Sequence, residues 1–245
     1  TSKLYYTHPL KGEHKKLGIF YLVHNGNIYN LDYYKKKFKI EKDNSKILDY
    51  SDSWLLVKLI EKLDYDNWKD LLINFIDLVP CAYSLIIYSK EDNSLYLLKD
   101  RYGIRPLCFG ENNLGYCVVS ESNGLGDYKY INELDNGSIY SINNKGLIKI
   151  YEYKNSELRQ CLFEFIYFLN KNSYFKLEPK EVIKYEDFNE DIIKNDKSYL
   201  RMDDYRYFIG VELGKQENYN IVFNPKENIV VIGAPDTGIP SGKGF

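Results

Sequence analysis

LGIFYLVHNGN (17–27) begins as a short apolar run of strand-favouring residues and closes on His24-Asn25-Gly26-Asn27. The run 17–23 reads as a strand, and Asn-Gly after it reads as a turn because both residues tolerate positive φ. The same pair carries a chemical alternative. An Asn carboxamide and a Gly backbone N–H, adjacent after a strand, can both donate to one developing oxyanion. On these residues alone the turn is the favoured reading, since a single dipeptide is a weak signal.

Downstream, 28–38 predicts a helix with a lysine-rich exposed side. Ser51-Asp52-Ser53 precedes WLLVKLIEKL, so Ser51 or Asp52 is expected to cap a helix running through Leu63. Asp52 has two readings: a carboxylate suits a helix N-terminus, and it would also hold a substrate ammonium group. The cap is the default. A second helix is expected over 67–78, and Pro80 marks a switch to period-two patterning. Segments 82–89 and 94–99 predict a hairpin around Glu91-Asp92-Asn93, and further strands are expected at 116–120, 138–142 and 147–151. Two helices among many strands predict an α+β arrangement, a helix layer packed on sheet.

The stretch LRQCLFEFIYFL (158–169) is too apolar to assign by period. After it the chain is polar and charge-dense, and about 174–205 is expected to be an inserted surface loop with at most one exposed helix. NIVVIGAPDTGIPSGKGF (228–245) reads as a buried strand followed by a Gly- and Pro-rich turn, the way a phosphate-handling α/β domain opens. Its SGKG is no P-loop, because Thr237 stands where that motif needs its first Gly and Gly244 where it needs Ser or Thr.

Composition narrows the function classes. The chain has 245 residues, 44% hydrophobic and 28% charged, which is ordinary for a globular protein and excludes collagen, mucin-like stalks and bulk disorder. A net charge of −2 argues against wholesale wrapping of nucleic acid. No apolar run approaches the roughly 20 residues of a membrane span, and no signal peptide is visible. Cys81, Cys108, Cys117 and Cys161 form no CxxC pair, so neither a disulfide framework nor a complete zinc site is expected, and the chemistry fits a reducing, cytoplasmic compartment.

DRYGIRPL (100–107) reads on its own as an ion-paired turn leaving a strand. Taken with HNGN (24–27), SDS (51–53) and SES (120–122), in that order and spacing, it resembles the class II glutamine amidotransferases. CLFEFIYF (161–168) and VVIGAPDTGIPSGKG (230–244) are similar to the amidophosphoribosyltransferases within that class, and RYFIGVEL (206–213) is similar to their short helix joining two domains. The resemblance covers nearly the whole chain apart from the insertion.

The resemblance implies a four-layer αββα N-terminal-nucleophile hydrolase fold over 1–157, incomplete at its N-terminus, followed by the start of an α/β type I phosphoribosyltransferase domain over 158–245. It implies that Asn25, through its side chain, and Gly26, through its backbone N–H, form an oxyanion hole, and that Asp52 holds the α-amino group of glutamine. A cysteine thiolate would attack the glutamine amide, and ammonia would displace pyrophosphate from phosphoribosylpyrophosphate (PRPP) to give 5-phosphoribosylamine, the committing step of purine synthesis. That cysteine and a glutamine-binding arginine are expected upstream of Thr1, and the PRPP motif beyond Phe245, so the chain alone is expected to be inactive. Thr1 is set aside as a nucleophile because it falls well inside the domain. The implied partners are glutamine and PRPP with Mg2+, in a homo-oligomer, without nucleic acid or membrane. Cys161 matches a position that ligates an iron–sulfur cluster in some members and not in others; a buried apolar thiol is the expectation here. The alternative from another class is a catalytically dead binding or regulatory module. A different acceptor, aspartate or a sugar phosphate, would require the last two sequence blocks to be coincidental.

Overall fold

The computed structural model describes residues 7–40, 51–154, 157–176, 199–217 and 230–245. The chain divides into two compact units, one formed by 1–107 with 134–160 and the other by 108–133 with 161–245.

In the first unit β1 (Leu10–His14), β2 (Gly18–Asn27), α1 (Leu31–Lys37), α2 (Asp52–Lys62), α3 (Trp68–Leu78), β3 (Ala82–Ser89) and β4 (Ser94–Lys99) follow in order. Strands β5 (Cys108–Asn112), β6 (Gly115–Val119) and β7 (Lys129–Glu133) belong to the second unit, and the first resumes with β8 (Ser138–Asn143) and β9 (Gly146–Glu152). Its six strands form one antiparallel sheet in the order β1-β2-β3-β4-β8-β9.

Alternation decides which face is covered. Phe20 and Leu22 on β2, with Tyr83, Leu85 and Ile87 on β3, are fully buried and share one face, the period-two consequence of the pleat. Leu55, Leu56, Leu59 and Ile60 of α2 and Leu71, Leu72, Phe75 and Ile76 of α3 complete that core, each with no exposed surface. Burying one such side chain contributes about 2–3 kcal/mol, so this helix layer fixes the sheet beneath it.

Both helices begin as their sequences predict. Ser51 Oγ accepts the Trp54 N–H at 3.4 Å, and Asn67 Oδ1 accepts the Asp70 N–H at 2.9 Å. The cap of α2 is therefore Ser51, and Asp52 is the first helical residue.

HNGN departs from expectation. Asn25, Gly26 and Asn27 are not a turn but the end of β2, paired with Ser84, Tyr83 and Ala82. Neither Asn25 nor Gly26 has a positive φ; the left-handed residue is Asn30, at φ 58, capping α1. A ladder partner on β3 supplies the backbone hydrogen bonds that a local turn would otherwise provide, and the turn moves three residues on.

The second unit holds the antiparallel sheet β6-β5-β7 and, after a π-helical turn at Glu164–Phe168, the strand pair β10 (Tyr174–Lys176) and β11 (Tyr199–Arg201). Helices α4 (Met202–Glu217) and α5 (Ile239–Gly244) follow. The expected insertion is thus bracketed by a two-stranded ladder, while 177–198 lies outside the described residues. Segment 206–213 is helical, inside α4. Arg206 is 2% exposed and ties α4 to the π-helical turn, its Nε donating to Phe165 O at 3.0 Å and its Nη2 to Leu169 O at 2.7 Å. The SES block serves the same unit: Glu121 Oε2 accepts from Asn170 N (2.7 Å) and Ser173 Oγ (2.9 Å), and Ser122 Oγ accepts from Tyr174 N (2.6 Å).

The buried strand expected after Asn228 is not seen. Segment 230–234 has no regular structure, Val230 is 75% exposed and Ile232 83% exposed. A buried parallel strand needs neighbours on both edges and both faces, and among the described residues no strand pairs with this segment.

Candidate active site

The end of β2 and the start of α2 meet through one carboxylate. Asp52 Oδ2 accepts the backbone N–H of Ile28 at 3.2 Å, and Oδ1 accepts that of Ser53 at 2.8 Å. Ser51 does the capping, and although Oδ1 accepts a first-turn N–H, the Asp52 side chain keeps 26% of its surface open at a helix N-terminus that favours negative charge. Such a carboxylate can hold an ammonium group.

His24 lies beneath it. Its Nδ1 shares a hydrogen bond with Ser53 Oγ at 2.9 Å and stands 3.9 Å from Asp52 Oδ1. Burial, against the opposing pull of Asp52, depresses the imidazole to a pKa of about 4; His8 and Arg105 add to the depression. His24 is therefore neutral at pH 7. His8 is also lowered, by burial first, with Asp52 acting against it.

The linkage has a definite sign. The unfolded chain protonates His24 near 6.5 and the folded chain near 4, so the stabilisation is complete above the first value and is lost as pH falls toward the second. Urea midpoints are expected to drop between pH 7 and pH 5 by the equivalent of about 2 kcal/mol from this group. His24→Gln should flatten that dependence; an unchanged slope would remove His24 as its source.

Asn25 faces away from His24, in register with Ser84 on β3. Its Oδ1 accepts from Arg105 Nη2. Arg105 comes from the DRYGIRPL turn, in which the fully buried Asp100 carboxylate accepts the backbone N–H groups of Tyr102 (2.9 Å), Ile104 (3.2 Å) and Arg105 (3.1 Å). Burial pushes Asp100 up from the ordinary carboxylate value, and these N–H groups pull it back. Gly26 is the residue the packing demands. A Cβ there would run into the carbonyl oxygen of Ala82 and lie 2.7 Å from Tyr83 Cα and 2.8 Å from His24 Nε2. That Nε2 is buried and has no hydrogen-bond partner among the described residues.

The structure thus brings HNGN, SDS and the arginine of DRYGIRPL to one place. A glutamine amidotransferase domain model matches residues 7–188. The chain belongs to the glutamine amidotransferase domain family. It is similar to the amidophosphoribosyltransferases of a Synechocystis strain (27% identical over 237 residues, 94% of this chain and 41% of that protein) and of Arabidopsis thaliana chloroplasts (32% over 162 residues, 64% and 30%). Among solved structures, glutamine PRPP amidotransferase from B. subtilis, complexed with ADP and GMP, superposes with a TM-score of 0.74 over 100% of this chain and 47% of that one, at 24% identity, which shows a shared fold. The chain spans less than half the length of these relatives.

The sequence singles out Asn25, Gly26 and Asp52 as candidates; the fold sets Arg105 against Asn25 and His24 against Ser53, near Asp52. Arg105 was in plain view beside Pro106, but only the fold shows that it reaches a residue eighty positions earlier. Among the described residues no group of three or more His, Cys, Asp or Glu side chains is placed to hold a metal ion. No described helix is long and apolar enough to cross a membrane.

Proposed function

We propose that this chain carries the oxyanion and ammonium-binding residues of a glutaminase site in a glutamine-dependent amidophosphoribosyltransferase. The observation that supports the reading is the Asp52 carboxylate accepting the Ile28 N–H, a part-open carboxylate beside the Asn25-Gly26 strand end. Glutamine binds with its α-ammonium on Asp52. As a thiolate attacks the side-chain amide, negative charge grows on the amide oxygen, and the Asn25 carboxamide N–H and Gly26 backbone N–H donate to it. Collapse of the tetrahedral intermediate breaks the C–N bond and expels ammonia, leaving a glutamyl thioester that water hydrolyses to glutamate; the protein that carries this chain delivers the ammonia to PRPP, with Mg2+, to yield 5-phosphoribosylamine and pyrophosphate, the first step of purine synthesis. Residues 158–245 are in this reading the opening of the phosphoribosyltransferase domain, in a cytoplasmic homo-oligomer.

The protein as its own cell makes it, treated with a glutamine-mimicking diazoketone, should carry the adduct on an N-terminal cysteine and hydrolyse glutamine. Absence of both would leave a binding or regulatory module instead. Within an active protein, Asp52→Asn should raise KM for glutamine by about 10- to 100-fold, the worth of one charge-assisted hydrogen bond, with a smaller change in kcat. An unchanged KM would exclude Asp52 as the ammonium site.

A further inference from the structure

We propose that Arg105 is a positioning residue that holds the Asn25 carboxamide with its nitrogen turned toward the developing oxyanion; this rests on the glutaminase reading above. A carboxamide has two ends, and only the NH2 end can stabilise an oxyanion. A guanidinium has donors and no acceptor. An Asn beside it can therefore present only its oxygen to the arginine, and Asn25 does so: Arg105 Nη2 donates to Asn25 Oδ1. The other end of the amide, carrying both N–H groups, is thereby aimed away from Arg105.

The arrangement is built from both directions. Ser84, the ladder partner of Asn25, donates through Oγ to the carbonyl oxygens of Arg105 (3.1 Å) and Pro106 (2.9 Å). The Arg105 N–H is in turn fixed on the buried Asp100 carboxylate, and Pro106 restricts the backbone on the other side. The path from Asn25 across the ladder to Ser84, into the backbone of Arg105 and back through its guanidinium is closed. A turn that only had to leave β4 would need Asp100, and would not need an arginine reaching β2.

The test is a mutant cycle on the full-length protein, read by glutamine hydrolysis. Arg105→Gln offers the amide both a donor and an acceptor, so Asn25 loses its enforced orientation. It is expected to lower kcat by about 10-fold or more with KM for glutamine within about twofold. Arg105→Lys keeps a donor-only partner and should recover most of that loss. In an Asn25→Ala background, Arg105→Gln should cost nothing further, because its effect passes through Asn25. Equal kcat in wild type and Arg105→Gln, or a full additional loss in the double variant, overturns the proposal while glutamine hydrolysis by wild type leaves the glutaminase reading intact. A wild-type protein that neither hydrolyses glutamine nor takes the diazoketone overturns both. Should Arg105→Gln not fold, the lysine variant decides, since a kcat loss as deep as that of Asn25→Ala would also rule the donor-only role out.

Discussion

Asn25→Asp is expected to leave a folded protein whose glutamine hydrolysis is reduced by at least about 10²–10³-fold in kcat. The substitution is nearly isosteric, and its carboxylate still accepts from Arg105, now as an ion pair. What it removes is the N–H2 end of the side chain. What it adds is a negative charge where the reaction develops another. The loss should therefore exceed that of Asn25→Ala, which only deletes the donor. KM should change little, because the ground-state amide oxygen carries little charge to be stabilised. Thermal unfolding and steady-state kinetics on the same preparation check it: a kcat near wild type would mean that Asn25 donates nothing to the transition state, and a collapsed Tm would mean that its role is structural.

The parts of the fold legible in the sequence were those whose signals are local. Ser51 and Asn67 announce α2 and α3 because a cap is read from a few residues. The β3–β4 hairpin announces itself through alternation around a polar turn. The strands β1 and β7 are not legible: LKGEH and KYINE are largely polar, and their strand state comes from partners elsewhere in the chain. HNGN was misread as a turn for the same reason, since the β3 register that overrides the Asn-Gly preference is set by Leu85 and Ile87 against His24 and Leu22. Segment 230–234 shows the reverse case, strand-like residues with no described strand to pair with. At the candidate site the chemistry-bearing residue types were visible, because an amide and a carboxylate are identifiable by type. Their orientation was not, because it depends on Arg105 and Ser84, which no spacing rule connects to Asn25.

Gly26→Ala should be the most damaging small change to the chain. The added methyl has no space on the face shared with His24 and Tyr83, and its first obstacle is backbone, the Ala82 carbonyl. Backbone in a paired strand cannot move aside as a flexible side chain can. The β2–β3 ladder must open at its end, at a cost of about 1–3 kcal/mol or more, which for a chain of this size corresponds to a fall in Tm of roughly 3–10 °C. Opening that ladder also separates Asn25 from Ser84, and with it the support of Arg105. Misplacement by an ångström at a reacting centre costs about 100-fold, so hydrolysis should fall by at least that factor even in molecules that remain folded. Gly124→Ala is the matched control: its Cβ would meet only Val119 side-chain atoms, at 3.4 Å or more, in ordinary contact. It should stay within about 0.5 kcal/mol of wild type. If both alanine variants melt and hydrolyse alike, the tight approach of β2 to Ala82 is not what requires glycine at position 26, and the strand end must carry its backbone donor for another reason.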